Sequence, residues 1–181
     1  MEFKPLPKLN TKRLVLRKIE DSDSKTLLFL RSDKIINQFI KRQKTETEKE
    51  VLKFIEKINK GISNYEWLYW SISLRTNEKM IGTICLWNFS KDRKVAEVGY
   101  ELIPTFQRKG IASEALNRVI DFGFNRLNLD IIEASTHKEN QSSQKLLNKN
   151  KFHLNINKKD KDNIDNIMFE IKKPAANNVY N

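Results

Sequence analysis

The segment that most constrains the fold runs from Val95 to Leu127. An alternating, extended stretch from Val95 to Ile103 is stopped by Pro104, and a helical period begins at Ile111. Ile111, Ala112, Ala115, Leu116, Val119, Ile120, Gly123 and Leu127 fall along one helix face, and Ile131 to Ser135 returns to a short strand. Upstream, Leu14 to Ile19 reads as a strand and Asp21 to Leu30 as a helix, with Asp21, Ser22 and Asp23 offering caps. Thr47 and Glu50 form a capping box for a helix expected to end at Gly61. Trp67 to Leu74 and Met80 to Trp87 then alternate with period two, joined by a turn over Arg75 to Lys79. Downstream, Asn140 caps a helix over Gln141 to Asn150, and Phe152 to Ile156 and Ile167 to Ile171 read as strands around a polar loop. Antiparallel hairpins followed by strand–helix–strand predict an α/β, mixed-sheet architecture with helices packed on it.

The chain has 181 residues, the size of one compact domain. No repeat or Gly/Ser-rich linker divides it, so a single domain is expected over 1–173, with a disordered tail over 174–181. One cysteine excludes an internal disulfide and fits a reducing compartment. No apolar run approaches the ~18–20 residues of a membrane span. The first ten residues carry no hydrophobic signal region, so a cytoplasmic location is expected. Lys and Arg total 34 against 23 Asp and Glu, a net charge of +11. That balance favours anionic partners, although a coding bias toward Lys and Asn would produce the same composition.

The chemistry concentrates where the strand becomes a helix. Between Pro104 and Ile111 lie Gln107, Arg108, Lys109 and Gly110. The first amides of a helix lack internal acceptors, and the helix dipole is positive there. Gly110 lets the backbone approach a ligand closely, and Arg108 and Lys109 add charge. These residues describe a pyrophosphate cradle, though a basic turn without a ligand would look the same locally. The segment is neither a Walker loop nor a GxGxxG dinucleotide fingerprint.

Gln107-Arg108-Lys109-Gly110-Ile111-Ala112 resembles the Q/R-x-x-G-x-G/A acetyl-CoA motif of the GNAT N-acetyltransferases. Further blocks resemble the Rim-type branch of ribosomal-protein N-terminal acetyltransferases. These are Thr11 to Arg17, Ile81-Gly82, Ala96 to Tyr100, Gly110 to Leu116, Asn128 to Ala134, and Asn140 to Ser143 with Leu146-Leu147. Two positions depart from that pattern. Lys151-Phe152 stands where the family has Gly-Phe, and Leu147 where many members carry a catalytic tyrosine.

The resemblance implies a GNAT fold whose sheet splays between the fourth and fifth of the strands above, Val95–Ile103 and Ile131–Ser135. Acetyl-CoA would lie in the splay as cosubstrate, with no metal. Leu102 and Ile103 would hold the pantetheine. Main-chain amides of Arg108, Lys109, Gly110, Ile111, Ala112 and Ser113, in the loop that Gln107 opens, would take the pyrophosphate. Asn140 would contact cofactor or acceptor.

Glu97 is the first candidate for general base, through water, and Glu101, on the same strand face, is the second. The alternative for Glu97 is a structural pairing with a loop cation or an N-cap. Ser143 is the candidate acid for the departing thiolate; its alternative is ordinary satisfaction of first-turn helix donors.

The acceptor expected is a protein N-terminal amine of the ribosomal-protein type. A polyamine or aminoglycoside is the alternative within the enzyme class, and a non-catalytic RNA- or ribosome-binding module the alternative outside it. No membrane or specific nucleic acid is expected as a partner, and a homodimer is left open. Cys85 is expected to pack in its strand. His137 is a minor candidate for substrate contact or proton handling. Lys158 to Asp162 reads as a solvated turn.

Overall fold

A computed structural model describes residues 5–175, so 176–181 of the tail expected over 174–181 lie outside the described residues. Within them the elements run β1 (Leu9–Asn10), β2 (Leu14–Lys18), α1 (Ser24–Ser32), α2 (Lys34–Asn37), α3 (Glu48–Ser63), β3 (Leu68–Leu74), β4 (Asn77–Trp87) and β5 (Val95–Leu102). They continue with α4 (Ile111–Asn125), β6 (Ile131–His137), α5 (Gln141–Lys149), β7 (His153–Lys159) and β8 (Asn166–Lys172). One eight-stranded sheet has the order β1-β2-β3-β4-β5-β6-β8-β7. All its pairings are antiparallel except β5 with β6. This is the mixed α/β sheet that the strand patterning predicts, with β1 as an additional short edge strand.

Side-chain parity along the strands sorts the core into two layers. Trp70, Ile72, Ile84, Leu86, Ala96 and Val98 pack with Leu116, Val119 and Phe122 of α4 and Leu147 of α5. On the opposite face, Met80 joins Leu27 and Leu30 of α1 with Val51 and Ile55 of α3, and Tyr69 and Ile103 pack against them. Leu147, the position of the missing tyrosine, is wholly buried in the first layer.

β5 pairs with β6 only over Val95, Ala96 and Glu97, opposite Ile131, Ile132 and Glu133. Beyond that point β5 stays with β4 as far as Leu102, and β6 stays with β8 as far as His137. The two central strands therefore part while each keeps its outer neighbour, which opens the splay the resemblance implies.

Several elements end elsewhere than the sequence predicts. α3 runs through Gly61 to Ser63. Gly61 makes room instead of ending the helix: a Cβ there would come within 2.1 Å of the Trp67 ring, whose Nε1 donates to the Ile58 carbonyl. The first helix begins with a 3-10 turn at Asp21–Asp23, and the residue that caps it is Glu20. β7 extends to Lys159, which shortens the expected loop.

The Lys151 departure is absorbed without rearrangement. Lys151 adopts a left-handed φ of 65°, and the Phe152 amide donates to the Leu147 carbonyl as in a glycine-terminated helix. Buried Asn150 fixes this corner: it accepts from Ser113 Oγ at 2.7 Å and Asn117 Nδ2 at 2.8 Å, and donates to the Leu146 carbonyl. A side chain at that φ carries backbone strain that glycine avoids. Lys151→Gly is therefore expected to stabilise the fold by about 1 kcal/mol, raising Tm by roughly 2–4 °C in a calorimetric scan.

Candidate active site

The splay opens a cleft of about 1610 Å³ lined by residues of both faces of the sheet. Strand geometry decides which residue looks where. The Ile103 amide donates to the Ile81 carbonyl at 3.0 Å. With Leu102 opposite Gly82, the alternating ladder turns the main-chain groups of Val98, Tyr100 and Leu102 toward the gap. Leu102 and Ile103 are thus not equivalent. The Ile103 amide is committed to β4, whereas Leu102 faces the splay, where its carbonyl accepts from Gln107 Nε2 at 3.1 Å.

The cradle is built at the start of α4. Gly110 is the N-cap at φ 74°, and Arg108 before it is also left-handed at φ 57°. The first helical amide to find an acceptor is that of Glu114, which donates to the Gly110 carbonyl. The amides of Ile111, Ala112 and Ser113 have no intrahelical acceptor, an arrangement that fits an anionic diphosphate. Arg108, Gly110, Ala112 and Ser113 line the cleft, while Ser113 Oγ is turned to Asn150.

A second layer of contacts holds this bend. Arg13 donates from Nη1 to the Lys109 carbonyl at 3.0 Å and from Nε to Glu114 at 2.6 Å. The Arg13 amide and the Thr11 hydroxyl donate to the other Glu114 oxygen. Burial pushes the Glu114 carboxyl up, but these hydrogen bonds outweigh it and hold the group below its ordinary value. The Thr11-x-Arg13 motif, a hundred residues away, thus braces the cradle.

On the α5 side of β5, Asn140 caps α5 by accepting from the Ser143 amide at 3.1 Å. Ser143 Oγ shares a 2.9 Å hydrogen bond with the Tyr100 hydroxyl. Burial pushes that phenol up to about 12, against the pull of Ser143. Sequence reasoning missed Tyr100 as a partner. The signal was present: its even position on β5 points it at α5, away from the two glutamates.

Glu97 and Glu101 share the other face with Gly99 between them. Both are buried, at 6% and 9% exposure, but their surroundings differ. Glu101 pairs with Arg42 at 2.9 Å and accepts from Thr83 Oγ1 at 3.2 Å. Glu97 accepts from Ser135 Oγ at 2.6 Å and Asn88 Nδ2 at 3.3 Å, and no cation among the described residues forms an ion pair with it. Burial raises the Glu97 carboxyl above its ordinary value against these two hydrogen bonds, with Asp160 and Glu133 adding to the rise. Glu133 itself is bound by Lys158 Nζ at 2.6 Å.

The remaining candidates lie around these groups. Lys158 to Asp162, expected as a solvated turn, lines the cleft. His137 stacks on Phe39 at 5.3 Å, and its Nδ1 accepts from the Glu139 amide. Cys85 lies half-buried beneath Gly99 and lines the cleft, so it is not sealed in the core. Burial pushes its thiol up to about 12, which leaves it protonated at neutral pH. Among the described residues no cluster of potential ligands could hold a metal ion, and no helix is long and apolar enough to cross a membrane.

Residues 13–153 match the acetyltransferase (GNAT) domain family. The chain belongs to the GNAT N-acetyltransferases. It is 30% identical to the uncharacterized N-acetyltransferase YoaA of Bacillus subtilis over 141 residues, 78% of this chain and 80% of that one. Its fold matches a ribosomal-protein-S5-alanine acetyltransferase from Vibrio fischeri with a TM-score of 0.78 and 22% identity, covering 93% of this chain and 100% of the other. It also matches RimL, a ribosomal L7/L12 alpha-N-protein acetyltransferase in complex with coenzyme A, at TM-score 0.79 and 19% identity, covering 92% and 98%. The family acetylates amines with acetyl-CoA. The non-catalytic RNA-binding alternative therefore gives way to an enzyme.

Two substitutions test the cradle. Gly110→Asp places a carboxylate among amides that await an anion, and calorimetry is expected to show loss of acetyl-CoA binding with the circular dichroism spectrum retained. Arg13→Ala, which only unbraces the bend, is expected to raise the KM for acetyl-CoA by about tenfold, with a much smaller change in kcat.

Proposed function

We propose that this GNAT enzyme transfers the acetyl group of acetyl-CoA to the N-terminal α-amino group of a protein by direct attack in a ternary complex. The observation that carries the reading is the state of Glu97, a buried cleft carboxylate raised by burial and lacking a cation, on the face of β5 opposite Ser143. Acetyl-CoA supplies the acyl group as a thioester. Amides of Arg108 to Ser113 hold its diphosphate, and groups of Leu102 facing the splay align the pantetheine.

The amine approaches from the α1–α3 side. Its nitrogen forms the new bond to the acyl carbon and the carbon–sulfur bond breaks. Glu97 takes the proton shed by nitrogen, through water. Ser143, positioned by Tyr100 and with its amide capped by Asn140, gives the leaving sulfur a proton and regains one from solvent, while Glu97 releases the amine proton to solvent. Glu101, its oxygen engaged by Arg42, serves as a wall of the site and leaves the base role to Glu97.

An α-amine suits this base. With a pKa near 8, about a tenth of it is neutral at pH 7, whereas lysine at ~10.4 is almost wholly charged. A carboxylate raised by burial is a weak to moderate base, sufficient for the first and poor for the second.

Glu97→Gln separates chemistry from folding. It is expected to lower kcat by about 10²-fold or more and to remove the acidic limb of the kcat/KM profile. Stability moves the other way. The fold favours the protonated Glu97 more than the unfolded chain does, so stability falls as pH rises from the unfolded carboxylate value, ~4.3, through the raised native one. The Gln variant escapes that loss and is expected to melt above the wild type at pH 7 but not at pH 4.

A further inference from the structure

The acceptor half of the cleft holds an unbalanced pair of guanidinium groups. Arg31 comes from α1 and Arg42 from the segment after α2; both line the cleft with Phe54 and Tyr69. Arg31 lies over the Phe54 ring, 3.9 Å from its centroid, and spends only its Nε, on Thr45 Oγ1 at 3.1 Å. Arg42 gives Nη2 to Glu101 at 2.9 Å and to the Leu30 carbonyl, while its Nε is buried without a partner among the described residues.

The two cations sense each other. Burial, and then the charge of Arg42, lower the guanidinium of Arg31 from its ordinary value, and Glu101 works against that shift for Arg31 as well. Two half-buried guanidinium groups thus share one carboxylate. Buried polar and charged groups are normally matched, and an unmatched donor at a cleft wall marks the place of an absent acceptor. Arg31, a lining residue of the cleft, has no partner for its two terminal nitrogens among the described residues, and that fork suits a carboxylate or phosphate.

The charge is also well placed along β5. Glu97 and Glu101 are four residues apart on one face, roughly 13 Å along the strand. Gly99, without a side chain, lies between them. An amine seated over Gly99 would have Glu97 on one side and Glu101 on the other, each about 7 Å away along the strand, with Arg42 paired to the second.

We infer that Arg31 and Arg42 select acceptors that carry an anionic group, a carboxylate or a phosphate, close to the amine to be acetylated. This deepens the proposed N-terminal acetylation and, for its peptide form, rests on that reading: the acceptor protein then bears an acidic or phosphorylated side chain within its first two residues.

Steady-state kinetics with the full chain, acetyl-CoA and two acceptor sets test the inference. The first set is hexapeptides differing only at the second residue, as Asp, Glu, phosphoserine, Ala or Lys. The second is 4-aminobutyrate and phosphoethanolamine against putrescine. An anionic acceptor is expected to exceed its neutral or cationic counterpart in kcat/KM by about tenfold or more, and the Asp, Glu and phosphoserine arms tell carboxylate from phosphate. Arg31→Gln is expected to bring the Asp-to-Ala ratio toward one through KM, and Arg31→Glu to invert it in favour of Lys. Should either variant fail to fold, the wild-type ratios decide alone. If no peptide is turned over, the N-terminal reading fails, and the small amines still decide whether an anionic group is selected. Equal rates across both sets, or a preference for Lys and putrescine, overturn the inference.

Discussion

Everything in the site depends on β5 and β6 parting after Glu97 and Glu133. Each strand keeps its outer neighbour, so the opening leaves unpaired only the main-chain groups that face across it. An open strand edge is ordinarily a site for pairing with another chain. Here it lies in the middle of a sheet, walled by α4 and α5 on one side and by α1 and α3 on the other. Val98, Tyr100 and Leu102 turn their main chain to that gap, and the helix start beyond Pro104 presents its own unaccepted amides beside it. The extended groups and the helical ones together suit a long ligand with an anionic end.

The charges in the cleft are handled unequally. Glu101 is matched by Arg42 and Glu133 by Lys158, so each has a cation at its side. Glu97 receives only a hydroxyl and an amide. Removing a carboxylate from water without a counterion costs stability, and that cost is the origin of its greater affinity for a proton. The same residue therefore weakens the fold and equips the site.

Much of this was legible in the residues because the governing interactions are local. The Thr47–Glu50 box and the Asn140 cap act within one turn and appear where their spacing places them. The strand halted at Pro104 and the left-handed Gly110 likewise follow from neighbouring residues. Partnerships across the sheet were not legible. Arg42 with Glu101, Ser135 with Glu97 and Arg13 with Glu114 join residues between 38 and 101 positions apart. Gly61 carries the same lesson: by local rules it ends a helix, but the Trp67 ring lying against it makes its missing Cβ a packing requirement. Leu102 and Ile103 look alike in sequence, and only the ladder phase with β4 separates them.

Alternation along β5 has a wider consequence. Odd positions, Glu97, Gly99 and Glu101, face the chamber bounded by α1 and α3, while even-numbered Tyr100 faces the α5 side. One ribbon of backbone thus separates two sets of side chains from each other. Heritable change in α1, α2 or the β7–β8 connection can reshape one chamber while the other stays untouched. Diversification of this fold can proceed on one surface at a time.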